Sequence, residues 1–250
     1  MKFLSPSLLA AVCLLAQPAY AAMDVKEVQR LLTEIESTNF PEYSVSNFNL
    51  SHYKKDQVIK NFTFEMSLKD DKSLLAMQWP ATSKHKYLLK SGLNLWMYFS
   101  DVRRSIRLSA RDSFMGTDAN NYDVMQTNLL KDYNMTSFSE VQLDGENVLK
   151  VELAAKPNTE GYAKLISYIS PKEKRLIKNE CYSISGSMIK TVQFKGIQEV
   201  GKFRIPRSVL ITSMVNKDRS TLMEILKVTP KKADELKDSM FTLGYLETVE

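Results

Sequence analysis

The segment SFMGTDANNYDVM, residues 113–125, decides how the rest of the sequence is interpreted, because its polar residues fit three kinds of structure: an ion site, a phosphate loop and a helix start. An EF-hand calcium loop beginning at Asp118 would need glycine at its sixth position and glutamate at its twelfth. The sequence has Asp123 and Leu129 there. A phosphate loop needs several glycines, and Gly116 stands alone. Both ligand-binding interpretations therefore fail on spacing.

The same segment fits the start of an amphipathic helix. Asp118 is a suitable N-cap, and Asp123 would lie near the positive end of the helix. Gly116 supplies a flexible turn just before the cap. The apolar positions fall at helical spacing, at Tyr122, Met125, Leu129 and Leu130. We therefore expect a short helix here, either a lid over a curved sheet or a plain surface helix.

Most of the remaining chain alternates apolar and polar residues with a period of two, which is typical of half-buried strands. The clearest run is 62–68, which is followed by a turn at Asp70-Asp71. Further runs are 75–79, 87–90, 93–99, 103–108, 141–143, 148–153, 162–169, 175–183, 188–194, 208–214 and 220–228. About ten strands joined mostly by hairpin-like turns predict an antiparallel sheet that curls.

Besides the region after Asp118, only one other segment is predicted to be helical. Apolar residues recur at helical spacing from Val25 to Ile35, with charged residues on the opposite face. Asp24 is a suitable N-cap, and Pro41 lies just past the expected end. The chain shows no repeat, low-complexity tract or linker, so we predict a single domain over 22–250.

The first residues have the pattern of a secretory signal peptide over 1–21. Lys2 precedes a short apolar run, 8–16, and small residues follow, which predicts cleavage after Ala21 or Ala22. The run is too short to span a bilayer. Cys13 would be discarded with this segment, leaving Cys181 as a lone cysteine without a disulfide partner. We therefore expect the protein to be exported.

Residues that usually carry enzymatic chemistry are sparse. His52, after the loop-like segment 49–51, and His85 have no metal-binding residue at ligand spacing. Residues 185–187 read as a turn between strands, not as a nucleophile elbow. The net charge of +5 includes basic pairs at 54–55, 103–104 and 231–232 but no long basic block. We expect no catalytic residue, cofactor, metal or nucleic acid, and only transient membrane contact.

Several short motifs follow one another between residues 95 and 133. They are Leu95-Trp96-Met97-Tyr98, RRSIR at 103–107, SFMGTD at 113–118, Tyr122-Asp123 and Asp132-Tyr133. This order resembles that of the LolA-like outer-membrane lipoprotein-sorting proteins. Later positions are similar as well, namely 162–168, 176–186, Lys190, Pro206 and Thr221. The chain departs from the usual pattern at Phe99-Ser100, where proline often follows W-x-Y, and at Ala119, where an aromatic often follows the aspartate.

The resemblance implies a mainly β, α+β fold: an unclosed, strongly curved antiparallel half-barrel, with an N-terminal helix and a short lid helix over its concave face. It also implies a non-enzymatic carrier in the periplasm of a Gram-negative type of bacterium, which shelters acyl chains of lipoproteins or other lipids in an apolar concavity. Transfer toward the outer membrane, or association with an exporter, would involve an inner-membrane exporter and an outer-membrane acceptor. The alternative is a periplasmic sensor or accessory module that binds a lipid or protein without ferrying cargo.

The candidate lining of the concavity is one apolar face of the strands together with the apolar residues of the lid. Which strand face points inward is left open by the sequence, as is the choice between a lining and an ordinary core. The lining candidates are Phe62, Phe64, Met66, Leu75, Met77, Leu95, Met97, Phe114, Met115, Tyr122, Met125 and Leu129. Candidates for holding the lid or a lipid headgroup are Arg103, Arg104, Arg107 and Asp118, although the arginines also fit exposed solubilising charges.

Overall fold

The computed structural model describes residues 23–125 and 129–249. The predicted signal peptide with Cys13, and residues 126–128 of the predicted lid helix, lie outside the described residues. The helices are α1 Val25–Asn39, α2 Asn121–Val124, α3 Leu129–Asp132 and α4 Leu243–Leu246. The strands are β1 Tyr43–Lys54, β2 Gln57–Lys69, β3 Lys72–Trp79, β4 Lys86–Ser91, β5 Asn94–Phe99, β6 Arg104–Leu108, β7 Tyr133–Leu143, β8 Glu146–Ala155, β9 Lys164–Ser170, β10 Arg175–Tyr182, β11 Met188–Lys195, β12 Gln198–Val200, β13 Phe203–Ile205, β14 Ser208–Ser213 and β15 Arg219–Pro230.

Thirteen strands form one sheet in which each paired neighbour is antiparallel. Their order is β6-β5-β4-β3-β2-β1-β15-β14-β11-β10-β9-β8-β7, while β12 and β13 form a separate hairpin. The edge strands β6 and β7 do not pair with each other, so the sheet stays open. This confirms the predicted mainly β fold, an unclosed antiparallel half-barrel.

Successive residues of a strand point to opposite faces of the sheet, and both faces bury apolar side chains. On β3, Leu75 and Met77 belong to the large inner cluster, whereas Leu74 belongs to a smaller outer cluster. The outer cluster also contains Leu236 and Phe241, from the segment that follows β15. The C-terminal segment therefore packs against the outer face of β3–β5.

Helix α1 packs its apolar stripe into the inner cluster. Its buried residues are Val28, Leu31, Leu32 and Ile35. Asp24 caps the helix, and Asp24 and Glu27 exchange backbone-to-side-chain hydrogen bonds of 2.8 Å as a capping box. The predicted N-terminal helix and its cap are confirmed.

Three expectations are wrong. Residues 49–51 are not a loop but part of β1, which the sequence pattern missed because Ser44 and Ser46 occupy buried positions of the strand. Helical structure is not confined to two segments, since α4 and two 3-10 turns follow β15. Asp118 does not cap the lid helix: Asn120 does, with Asp123 completing a capping box. The helix α2 then ends with Met125 as its C-cap, so it is much shorter than predicted.

Candidate functional site

The structure places all twelve candidate lining residues in or against one apolar cluster on the concave side of the sheet. Eight are buried members of the cluster: Phe62, Phe64, Met66, Leu75, Met77, Leu95, Phe114 and Met125. The other four, Met97, Met115, Tyr122 and Leu129, are partly buried and pack against it. The sequence does not decide which face of the strands points inward. In the structure, the face that carries these residues is the one that packs into the cluster.

A row of phenylalanine rings crosses this interior from α1 to residues 113–125, which we name the lid segment. Phe48 stacks on Phe40, next to the end of α1, with ring centroids 6.5 Å apart, and on Phe64 at 5.1 Å. Phe114 of the lid segment lies 5.9 Å from Phe64 and is fully buried. The lid segment thus contributes an aromatic side chain to the centre of the core, and such pairs add about 0.5–1.5 kcal/mol beyond area burial.

A tight turn in the lid segment makes this insertion feasible. Met115 and Gly116 both have left-handed backbone angles, φ 51° and 69°. The amide of Phe114 donates to the carbonyl of Ala119 at 2.7 Å, and the Thr117 hydroxyl donates to the carbonyl of Phe114 at 2.7 Å. Glycine suits the left-handed backbone at position 116, and a Cβ there would lie 2.5 Å from Lys60 Nζ, so the lysine side chain would have to move away from the turn.

Lys190 on β11 is the main polar anchor of the lid segment. Its Nζ donates to Asp123 Oδ2 at 2.9 Å, to Asn120 Oδ1 at 2.8 Å and to the carbonyl of Asp118 at 2.8 Å. The side chains of Lys190 and Asp123 are only 7% and 5% exposed. Asp123 Oδ1 also accepts a 2.5 Å hydrogen bond from the hydroxyl of Tyr162. A buried, hydrogen-bonded ion pair therefore fixes α2 to the sheet.

Two further contacts with the lid segment come from β1 and β2. Lys60 Nζ donates to the carbonyls of Met115 and Gly116 at 3.0 and 2.9 Å. His52 is buried, and its Nδ1 lies 3.6 Å from Asp118 Oδ2. The same Nδ1 is 3.1 Å from the carbonyl oxygen of Ser220. A carbonyl only accepts hydrogen bonds, so this bond forms in the tautomer with the proton on Nδ1. Asp118, a predicted lid contact, thus faces a histidine that sequence spacing had set aside.

Three tyrosines close the side of the site next to α2. Tyr122 donates to Asp132 Oδ2 at 2.8 Å, and its ring meets that of Tyr162 edge-on, with centroids 6.0 Å apart. The hydroxyl of Tyr133 accepts from the amide of Tyr162 at 3.1 Å. Burial raises the pKa of all three hydroxyls, that of Tyr133 to about 12. These tyrosines are therefore neutral hydrogen-bond donors and acceptors at neutral pH.

Among the described residues, the three candidate arginines form no hydrogen bond or ion pair with the lid segment. Arg103 is in the turn before β6, and Arg104 and Arg107 are exposed on β6, an edge strand. Arg107 donates to Asn94 Oδ1 at 2.6 Å. Within the described residues, the side chains outside the lid segment that donate hydrogen bonds to it are instead those of Lys60, Lys190 and Tyr162, while His52 faces Asp118. A lysine within the apolar alternation of β11 was the one local signal that could have identified Lys190.

Comparison with solved structures defines the class of the fold. The chain is similar to a LolA superfamily protein from Nitrosomonas europaea, with 21% identity, a TM-score of 0.78, and coverage of 87% of this chain and 98% of that one. It is also similar to a putative outer membrane lipoprotein-sorting protein domain from Vibrio parahaemolyticus, with 16% identity, a TM-score of 0.75, and coverage of 88% and 96%. The resemblance to LolA-like proteins is therefore confirmed for the fold.

A protein-family model identifies the family itself. The model described as "Uncharacterized protein" matches residues 69–248, and the chain belongs to that family. No curated protein matches the chain in sequence. None of the helices in the described ranges 23–125 and 129–249 is long and apolar enough to cross a membrane.

Proposed function

We propose that the protein is a periplasmic carrier that shelters acyl chains of lipoproteins or other lipids between the concave sheet, α1 and the lid segment. The observation that carries this proposal is the construction of the lid segment. Its apolar side chains, Phe114, Val124 and Met125, are inserted into the inner cluster, while polar contacts at its periphery hold it to the sheet. The names of the fold relatives, which include lipoprotein sorting, support the same class of cargo.

The physical chemistry of the interior suits this role better than catalysis. An acyl chain needs only apolar surface shielded from water, worth about 25 cal/mol per Å2. Methionine adapts its shape to different apolar neighbours, and Met66, Met77 and Met125 lie in the cluster. An acyl chain that displaced the lid residues would meet the same apolar surface. In this proposal, the protein either receives cargo from an inner-membrane exporter and delivers it to an outer-membrane acceptor, or acts as an accessory protein of that exporter.

Cargo identification is the first test. We expect lipid extraction and mass spectrometry of protein isolated from the periplasm to recover acyl lipid or lipoprotein, and the purified protein to take up a fluorescent acyl probe. Recovery of no lipid together with no probe uptake would refute the carrier. Stable retention of a protein partner without lipid would favour the sensor or accessory function instead.

A matched pair of variants tests the site. Met125→Glu places a charge where the side chain is 2% exposed, so it should abolish probe binding. Met125→Leu keeps nearly the same apolar volume and should bind the probe within about threefold of the unmodified protein. Circular dichroism and urea unfolding establish that both variants are folded. Equal probe binding by folded Met125→Glu and Met125→Leu would show that the lid segment does not border the cargo.

A further inference from the structure

One end of the sheet collects four connections that are far apart in sequence. Antiparallel pairing of Lys54 with both Gln57 and Arg219 places the β1–β2 turn beside the β14–β15 turn. Pairing of Thr63 with Trp79 and of Phe99 with both Lys86 and Arg104 adds the β3–β4 and β5–β6 connections. We name residues 54–59, 79–86, 100–104 and 214–219 the loop rim.

The loop rim exposes large apolar side chains on hairpin tips and strand ends. Five of these residues have about half or more of their surface exposed to solvent: Val58 (53%), Ile59 (49%), Trp79 (54%), Val102 (60%) and Val215 (72%). Val58 and Ile59 are adjacent on the β1–β2 hairpin, whereas Trp79, Val102 and Val215 lie on three other connections. Single apolar side chains on adjacent protrusions suit insertion into a soft interface better than docking into a flat protein groove.

The loop rim is also where the positive charge of the protein lies. It carries eight basic side chains: Lys54, Lys55, Lys84, Lys86, Arg103, Arg104, Lys217 and Arg219. It carries three acidic ones: Asp56, Asp101 and Asp218. The difference of five equals the +5 net charge of the whole chain, so the remaining residues balance. In the described part of the chain, none of the eight basic side chains forms a salt bridge with an acid.

We propose that the loop rim docks the protein on the surface of an anionic lipid bilayer. Lysine and arginine heads attract anionic headgroups, while their stems and the neighbouring Val, Ile and Trp side chains reach the headgroup–acyl boundary. Tryptophan is favoured at that depth. Sequence alone had indicated only a diffuse positive charge, because the pairs 54–55 and 103–104 meet on one rim only through the strand order β6 to β1.

Docking at this rim presents the lid segment to the membrane. Lys60, which holds Met115 and Gly116, follows Ile59 directly, and His52 pairs with Lys60 across β1 and β2. The lid anchors on β1 and β2 are therefore next to the exposed apolar tips. Docking does not depend on acyl-chain binding, so it is tested on its own with vesicles.

Vesicle flotation is the direct experiment. We expect the protein to float with vesicles of phosphatidylglycerol and phosphatidylcholine but not with phosphatidylcholine alone. The bound fraction should fall in 1 M salt, where the Debye length is about 3 Å. In Trp96→Phe, Trp79 is the only tryptophan left of two, and its emission should shift to the blue on the anionic vesicles. No binding to these vesicles, or binding only when a membrane protein is present in them, would overturn the proposal.

Two sets of variants, each with a matched control, locate the surface. A triple charge reversal on the rim should reduce the vesicle partition coefficient roughly a hundredfold: Lys54→Glu, Lys84→Glu, Arg104→Glu. The control has the same change of net charge away from the rim and should reduce the coefficient less than about threefold: Lys172→Glu, Lys195→Glu, Lys237→Glu. The apolar truncation Trp79→Ser, Val102→Ser should reduce it roughly tenfold, and Leu93→Ser, Leu226→Ser, which alters exposed leucines elsewhere, should not. Equal losses in a test variant and its control would overturn the assignment to this rim.

The same variants separate docking from cargo binding. The rim variants should take up an acyl probe from solution as the unmodified protein does, because none of the altered residues belongs to the inner cluster. Met125→Glu should lose the acyl probe but still bind vesicles. That result would support the docking surface independently of the carrier function. Conversely, loss of docking with intact probe uptake would refute only the docking surface.

Discussion

Replacement of Lys190 by methionine tests how the lid segment is held. The substitution keeps the length and apolar stem of the side chain but removes the three hydrogen bonds from Nζ to Asp118, Asn120 and Asp123. Asp123, with a side chain 5% exposed, would keep the hydrogen bond from Tyr162 but lose its positive partner. The cost therefore falls on the lid segment, because all three acceptors lie within it.

The magnitude follows from the burial of the pair. Removal of one partner of a buried ion pair typically costs about 3–5 kcal/mol, because the other charge is left buried. The lid segment can escape this cost by releasing Asp123 to water, so the global free energy of unfolding should fall by less than that range. Local opening should instead become easier by roughly two to four orders of magnitude, since about 1.4 kcal/mol corresponds to a factor of ten.

Amide hydrogen exchange measures this opening directly. The amides of Phe114, Asn121 and Tyr122 bond to the carbonyls of Ala119, Asp112 and Ala110 respectively, at 2.7–2.9 Å, and report on the lid segment. We expect these amides to exchange faster in Lys190→Met, while amides in the centre of the sheet change little. If the proposed function holds, the rate of acyl-probe uptake should rise as well.

A neighbouring ion pair supplies the control. Lys178 on β10 forms a 2.8 Å salt bridge with Glu180 and does not contact the lid segment. That pair is more exposed, at 20% and 16% of its side chains, so Lys178→Met should cost less stability than Lys190→Met and leave exchange in the lid segment unchanged. The reasoning would be refuted if Lys190→Met lowered global stability without accelerating lid exchange, or if Lys178→Met accelerated it equally.

Two further predictions concern the tyrosine side of the site. A methyl group at Gly161 would lie 2.5 Å from Cζ of Tyr122 and 2.8 Å from the hydroxyl of Tyr133, so Gly161→Ala should cost about 1–3 kcal/mol in urea unfolding. Gly244→Ala, with nothing within 4 Å of the added Cβ, should not destabilise; equal losses would contradict the crowding. Burial raises the pKa of Tyr133 from 10.0 to about 12, so the native state holds this proton more tightly than the unfolded chain. The contribution of this proton to the free energy of unfolding is complete below pH 10 and is lost as the pH rises from 10 to 12. A midpoint of urea unfolding that stays constant across this range would contradict the raised pKa.

The sequence pattern predicted those elements whose burial follows a regular period. Alternation from Phe62 to Leu68 matches β2, and helical spacing from Val28 to Ile35 matches α1. The sequence pattern did not predict β1, because serines occupy two of its inward positions and interrupt the apolar alternation. The two-faced burial of β3 and β4, with Leu74 and Leu89 under the C-terminal segment, depends on contacts that span most of the chain.

The lid segment shows where local reasoning ends. Tyr122 and Met125 follow from helical spacing, and they lie in or against the inner cluster together with the other lining candidates Phe114 and Met115. Val124, which is also buried in that cluster, is not identified by the spacing. Its anchors could not be identified in that way, because Lys60 and Lys190 are separated from their partners by 55 to 72 residues. The cap was assigned to Asp118 instead of Asn120 because both residues satisfy the local preference. The contact of Asp118 with His52, which decides its role, arises only in the folded sheet.

Under the proposed function, acyl cargo and the apolar side chains of the lid segment compete for one surface. Either occupant gains about 25 cal/mol per Å2 of apolar area removed from water, so their burial terms largely offset one another. The small difference is then set by the peripheral contacts of Lys60 and Lys190. These contacts depend on geometry and charge, and a membrane surface or protein partner can compete for them. A lid held at its periphery by polar contacts can therefore open without loss of the apolar interior. Weakening Lys190 lowers the free-energy cost of opening, so it should raise both the rate of cargo exchange and the apparent affinity for cargo.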